Sequence, residues 1–249
     1  MRVDLRKCDT LTVSLPAQAA RRASVSALCR RLGLDWRMVD GVPTEPGRIG
    51  CGLGHLRALR AARSGAPTLV LEDDVAASEG FDPIVDVPDD ADALYVGVSL
   101  YGAIDVIDYV GFSNMIAADP VDERLLRIYN LLGAHAILYL SDRFRAASAE
   151  AILRAIADLD REHDKEMARL QETFVVYALR RPLFYQANAL QRPEAGDRQE
   201  AMTRVELKPL TEGIVGQIEV DGVWRSIVLS RDEPRLRWRW AGLGGTGGG

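Results

Sequence analysis

Three adjacent carboxylates, Glu72, Asp73 and Asp74, follow directly on the apolar run Thr68 to Leu71. An apolar strand that ends in acids delivers them to the carboxyl edge of a sheet, where open α/β sheets bind their ligands. Adjacent carboxylates repel one another unless a positive charge sits among them. On an extended segment side chains at i and i+2 point the same way, so Glu72 and Asp74 are expected to share one divalent cation. Mg²⁺ or Mn²⁺ held by two carboxylates keeps positions open for phosphate oxygens, which makes a nucleoside diphosphate the natural third partner. The plainer reading is that the acids cap the following segment or form a polar loop.

Other residue types that carry chemistry are scattered. Arg21 and Arg22 are placed to reach a phosphate from a helix, although an exposed helix face explains at least one of them. His55 falls in the segment Gly50 to Leu56, GCGLGHL, whose glycine spacing and missing upstream strand do not fit a dinucleotide fingerprint. A helix predicted from Leu53 puts His55 in its first turn, where the N-terminus favours anions; the ring then turns to a nucleotide or a metal, or else packs as a structural histidine. Cys8, Cys29 and Cys51 are odd in number and widely spaced, and His55, His135 and His163 lack HExxH spacing, so neither a disulfide framework nor a zinc knuckle is predicted. Arg235 to Trp240, RLRWRW, alternates guanidinium and apolar side chains. In a strand this separates a cationic from an aromatic face, suited to an anionic partner or to packing on a neighbouring hairpin.

The elements that must position these groups read as an α/β alternation. Leu11 to Leu15 is a short strand, and Arg21 to Leu32 a helix with Val25, Leu28, Cys29 and Leu32 on one face, stopped by Gly33. Leu34 to Val39 is a second strand, 41 to 47 a loop, and Leu53 to Arg63 a helix ended by Gly65 and Pro67. Strands are expected at Thr68 to Leu71, Ala93 to Val98, Ala134 to Leu140 and Leu183 to Gln186, with Phe174 to Leu179 a strand or helix end. Helices are expected from Asp142 to Leu159 and from His163 to Gln171. Residues 191 to 203 read as a polar loop. Ile214 to Val220 and Val223 to Leu229 flank Asp221-Gly222 as a hairpin, and Gly242 to Gly249 is a flexible tail.

The 249 residues carry net charge −5, with 47% hydrophobic and 27% charged side chains, a composition of a folded domain rather than a disordered chain. The charges are not mixed: residues 1 to 63 carry +7, 64 to 123 carry −14 with no Lys or Arg, and 124 to 249 carry +2. The acidic block starts beside the EDD segment and needs solvent, a cation or a basic flank to neutralise it. The longest uncharged run, Ile128 to Ser141, is too short for an ordinary membrane helix, and Arg2, Asp4, Arg6, Lys7 and Asp9 leave no apolar signal core, so a cytoplasmic protein is expected.

Taken in order, a strand with Arg21 or Arg22 after it, then Gly50, Cys51, Leu53 and His55, then Leu71 to Asp74, resemble the glycosyltransferase family 25 proteins, the lipopolysaccharide and procollagen galactosyltransferase group. Gly133 to Ser141 and the series Asp164, Val176, Tyr177, Pro182, Gln186 are similar to later blocks of that family. The resemblance spans residues 10 to 190, roughly. Gly54 stands where the family usually has Ser, the opening strand reads VSLP, and nothing after residue 204 has a counterpart.

The resemblance implies a GT-A (Rossmann-like) nucleotide-sugar-binding domain, set over residues 1–203; the Asp221-Gly222 signal adds a β-hairpin extension packed on it over 204–241, and the glycine run a tail over 242–249. It implies an inverting, metal-dependent glycosyltransferase with Mn²⁺ or Mg²⁺ on Asp74 and Glu72, and a nucleoside diphosphate sugar, expected to be a UDP-sugar, near Arg21, Arg22, His55, Glu72 and Asp73. Inversion calls for one general base, assigned to Asp164, with Asp142 and Glu166 as lesser candidates and a helix-capping role as the plain alternative. The acceptor is a hydroxyl on a glycan, a lipid-linked glycan, a hydroxylated DNA base or a peptide. The second reading is a non-catalytic module of the same fold that holds an anionic partner through Arg235 to Trp240.

Overall fold

The computed structural model describes residues 1–99, 101–106, 109–113, 116–158, 161–187, 214–220, 223–232 and 235–240. The expected polar loop at 191–203, the Asp221-Gly222 turn and the glycine-rich tail lie outside these residues.

The protein is α/β, with a mixed eight-stranded sheet flanked by helices. Across the sheet the strands run Ala118–Pro120, Leu125–Ile128, Val176–Leu179, Ala93–Tyr95, Ala136–Tyr139, Thr68–Glu72, Asp9–Ser14 and Trp36–Asp40. Asp9–Ser14 is central to a parallel trio, paired with Trp36–Asp40 on one side and Thr68–Glu72 on the other. Antiparallel Ala136–Tyr139 then joins Thr68–Glu72 to Ala93–Tyr95.

Alternation along Thr68–Glu72 shows why the run is apolar throughout. Val70 enters one core with Leu11, Val13, Leu56, Leu59 and Ile152, while Leu69 and Leu71 enter the other with Val25, Leu28 and Cys29. A strand covered on both faces has no polar side to show. The first core is roofed by helices Gly47–Ala61 and Asp142–Ala157, the second by helix Ala19–Leu32. Gly33 ends Ala19–Leu32 in the left-handed region at φ 68°, and Ser141 caps Asp142–Ala157 by accepting from the Phe144 N–H at 3.2 Å.

One helix boundary differs from the sequence expectation. Helix Gly47–Ala61 begins six residues before Leu53, because the glycines suit close approach rather than a turn. Gly50, Gly52 and Gly54 are all buried, and a Cβ on Gly54 would stand 2.6 Å from Val13 Cγ1. His55 is therefore in the third turn, and its placement owes nothing to a helix N-terminus.

Asp92, buried just before Ala93–Tyr95, ties distant segments together. Its carboxylate accepts from Ser141 Oγ at 2.6 Å, from Arg143 at 2.6 Å through each oxygen, and from the Val175 N–H at 3.0 Å. Burial would raise this carboxyl, but those donors outweigh it and hold it below the usual value.

Strands Ile214–Val220, Val223–Asp232 and Arg235–Trp240 form a separate antiparallel sheet in which Val220 pairs with Val223, the register of a two-residue connection. RLRWRW is its third strand, with Leu229 opposite Trp238 and Arg237 exposed. This sheet meets the main body at Tyr109–Ser113 and through Arg231, which lies 3.0 Å from Asp119 Oδ2 and stacks over Tyr129. Among the described residues no helix is long and apolar enough to cross a membrane.

Candidate functional site

The parallel trio ends at Ser14, Asp40 and Glu72, and a cleft of about 330 Å³ opens at those carboxyl ends. Its walls include Ser14, Arg21, His55 and all of Glu72, Asp73 and Asp74. Glu72 Oε1 lies 3.1 Å from His55 Nε2, and Oε2 accepts from Gln186 Nε2 at 3.3 Å. Asp73 accepts from Ser14 Oγ at 2.5 Å and from Arg21 at 3.3 Å, and the same guanidinium stands 3.8 Å from Asp74. The main chain is fixed as well: the Glu72 N–H donates to the His135 carbonyl at 2.9 Å, and the Asp74 carbonyl accepts from the Ala187 N–H at 2.6 Å.

Glu72 and Asp74 come to share the cleft by a different route from the one expected. The strand ends at Glu72, and Asp73 and Asp74 form a turn before the short strand Val75–Ala77, which pairs with Phe184–Gln186. The turn, rather than i and i+2 alternation, brings the three acids to one cavity.

Their surroundings shift Glu72 and Asp74 in opposite directions. Burial would raise the Glu72 carboxyl, but the hydrogen bond and charge of His55 bring it down to about 2. Burial would lower His55, but Cys51 and Glu72 together lift it to about 10. Asp74 is pushed up to about 6 by burial and then by the charge of Glu72, with Arg21 opposing. Glu72 is thus paired with His55, and Arg21 stands between Asp73 and Asp74. Carboxylate oxygens gathered at one cleft wall are the donors that Mg²⁺ and Mn²⁺ take, so these residues fit such a cation.

A second cleft, of about 410 Å³, shares Glu72 as a wall and adds Tyr101, His163, Asp164 and Gln186. Asp164 is in the first turn of helix His163–Leu170 and its Oδ1 accepts from the Lys165 N–H at 2.9 Å. Burial and then Glu162 raise its carboxyl, with Lys165 opposing. The clefts meet at Glu72, so a group held beside Asp73 and Asp74 adjoins one held beside Asp164.

The remaining sequence candidates fall elsewhere. Arg22 binds Asp40 at 2.8 Å and the Ser14 carbonyl at 3.3 Å, bracing strand ends outside the cleft walls. Asp142 holds Ser64 Oγ at 3.0 Å and Arg145 at 2.5 Å. Glu166 is buried against Arg161 at 3.0 Å, Arg169 at 2.9 Å and Arg154 at 3.9 Å, outside the walls of both clefts. Ser14 and the Gln186 contact to Glu72 had no sequence signal beyond strand termini.

The histidines, expected to be isolated, are not. His55 and His163 stack with ring centroids 5.1 Å apart, and Cys51 Sγ lies 3.9 Å from His163 Nε2. Burial and then the charge of His55 push His163 down to about 3, with Glu72 opposing. The readable part of this cluster was the i, i+4 spacing of Cys51 and His55; His163 joins from far along the chain. Comparison with protein-family models finds none that matches the chain, and comparison with curated proteins finds no match either.

Proposed function

We propose that the protein is a GT-A-type glycosyltransferase, related to glycosyltransferase family 25, that moves a sugar from a nucleoside diphosphate sugar to a hydroxyl acceptor. The observation that carries this reading is the placement of Glu72, Asp73 and Asp74 at the carboxyl ends of three parallel strands, in a cleft joined at Glu72 to a second cleft that holds Asp164. The first cleft takes the donor and the second the acceptor, and each is within the size range of small-ligand pockets.

Asp74, with Glu72 beside it, would hold Mn²⁺ or Mg²⁺. When bound, that ion supplies positive charge to the diphosphate as it leaves. Arg21 adds a fixed positive charge at the same wall, oriented by its contact with Asp73. His55 and Gln186 hold Glu72 in place from two sides, so the acid segment is set before the donor arrives. Asp164 receives the proton of the acceptor hydroxyl, and its raised carboxyl makes it a better base than an exposed aspartate. The hydroxyl oxygen then bonds the anomeric carbon as the bond to the diphosphate oxygen breaks.

The test is release of nucleoside diphosphate from a panel of sugar nucleotides with Mn²⁺, with and without simple glycan acceptors. Asp164→Asn is expected to lower the transfer rate by about 10²–10⁴-fold while donor binding persists. Full transfer by that variant removes Asp164 from the mechanism, and no turnover of any donor by the wild type counts against the whole reading.

A further inference from the structure

We infer that Cys51, His55 and His163 form a binding site for one zinc-class divalent ion at the junction of the two clefts. Its three donors are none of the carboxylates assigned above to Mn²⁺ or Mg²⁺, although Glu72 adjoins both sites, and the inference does not rest on the transferase reading. Cys51 and His55 are four residues apart on helix Gly47–Ala61, so their side chains lie on one face, one turn apart. His163 opens helix His163–Leu170, and its ring centroid lies 5.1 Å from that of His55. Gly52 lies beside His163, where a Cβ would stand at ordinary contact distance, 3.5 Å, from His163 Cβ.

One ligand atom from each of the three residues lies within 4.8 Å of the other two. Zn–S bonds of about 2.3 Å and Zn–N bonds of about 2.0–2.1 Å need donors somewhat closer than this, a closure that side-chain rotation supplies. A second observation points to an ion. His55 is fully buried, yet its Nδ1 has no hydrogen-bond partner, and the Nδ1 of half-buried His163 has none either. Buried unpaired polar atoms cost stability, and a metal bound at a ring nitrogen removes that cost.

His55 also has the second-sphere arrangement of a metal ligand. Its Nε2 is 3.1 Å from Glu72, so a carboxylate orients the ring while Nδ1 is left to bind. Thiolate and imidazole donors select zinc over Mg²⁺ or Mn²⁺, which prefer oxygen. Three protein donors leave a fourth tetrahedral position, and it would open toward the clefts, because Cys51 and His55 line the first and His163 the second.

Cobalt(II) is the probe. The chelator-treated full chain is titrated with Co²⁺, and one equivalent is expected to develop thiolate-to-cobalt charge transfer with the strong visible bands of a four-coordinate ion. Zn²⁺ is expected to abolish these bands, while Mn²⁺ leaves them. Cys51→Ser removes the charge-transfer band, Glu72→Gln weakens binding by about 10–100-fold, and Asp74→Ala leaves the spectrum intact. Circular dichroism establishes that each variant is folded, and Cys51→Ser, which keeps side-chain volume, decides the matter if His163→Ala is unfolded. Absence of a thiolate band in the wild type overturns the inference. So does a band that survives in Cys51→Ser, since it then arises from Cys8 or Cys29, or one lost in Asp74→Ala, since the two sites are then not distinct.

Discussion

Gly54 permits helix Gly47–Ala61 to lie against strand Asp9–Ser14, and the pair Gly54 and Val13 makes the energetic consequence measurable. An alanine at 54 would put its Cβ 2.6 Å from Val13 Cγ1, while ordinary carbon contacts lie at about 3.5–4.0 Å. Relief of an overlap near one ångström costs about 1–3 kcal/mol in a packed core. Against this, Ala is better than Gly in a helix interior by about 1 kcal/mol. Gly54→Ala should therefore destabilise the wild type by about 1 kcal/mol. Val13→Ala removes two methyl groups at roughly 0.8 kcal/mol each and leaves a cavity, a cost of about 2 kcal/mol. In that background the new methyl at 54 enters vacated space, so Gly54→Ala should become stabilising by about 1 kcal/mol. Urea denaturation of the four proteins of the cycle, followed by circular dichroism, reads this reversal of sign. An effect of Gly54→Ala that is equal in the two backgrounds would refute the close-approach account.

Three further outcomes follow from the structure. Gly50→Ala would set a Cβ 2.1 Å from the Val42 carbonyl oxygen, a backbone atom that cannot rotate away, so it should lower the melting temperature and disturb the Val42–Thr44 wall of the first cleft; an unchanged melting temperature contradicts this. Asp92→Asn should cost about 1–3 kcal/mol, read by urea denaturation at neutral pH. The folded Asp92 carboxyl lies below its unfolded value, so its stabilisation is present above the ordinary aspartate range and is lost as pH falls through the folded value. The gap between variant and wild type should close on acidification, and a gap that widens refutes the sign. Burial lifts the Cys8 thiol to about 12 and also raises Cys29, so alkylation of the native chain at pH 8 should modify at most one of the three cysteines, with the others reacting only after unfolding.

The apolar pattern made the α/β alternation legible, since Val25, Leu28 and Cys29 recur with the helical period while Thr68 to Leu71 is an unbroken apolar run of strand length. The helix start was not legible, because Gly50, Gly52 and Gly54 look like a loop until the neighbours of Gly50 and Gly54, the Val42 carbonyl and Val13, are known. The EDD segment announced itself by an apolar run ending in acids, and the structure sets all three in one cleft. Which groups hold the acids was not legible: Ser14, Arg21, His55 and Gln186 arrive from four separate segments. Arg21 and Arg22 are adjacent in sequence, yet one faces the acids and the other Asp40, a consequence of helical rotation between neighbours. The Cys51, His55 and His163 cluster escaped spacing rules for the same reason, since its third member depends on how two helices pack.

Calorimetric titration of the wild type and Asp74→Ala with uridine and other nucleoside diphosphates, each with Mn²⁺ and with chelator, bears most directly on the carboxylate cleft. The account predicts that at least one diphosphate binds the wild type with Mn²⁺, that chelator weakens it by about 100-fold or more, and that Asp74→Ala removes the dependence on metal; 100-fold corresponds to about 2.7 kcal/mol. Binding of equal strength with and without Mn²⁺, or a metal-dependent gain that survives Asp74→Ala, would contradict it.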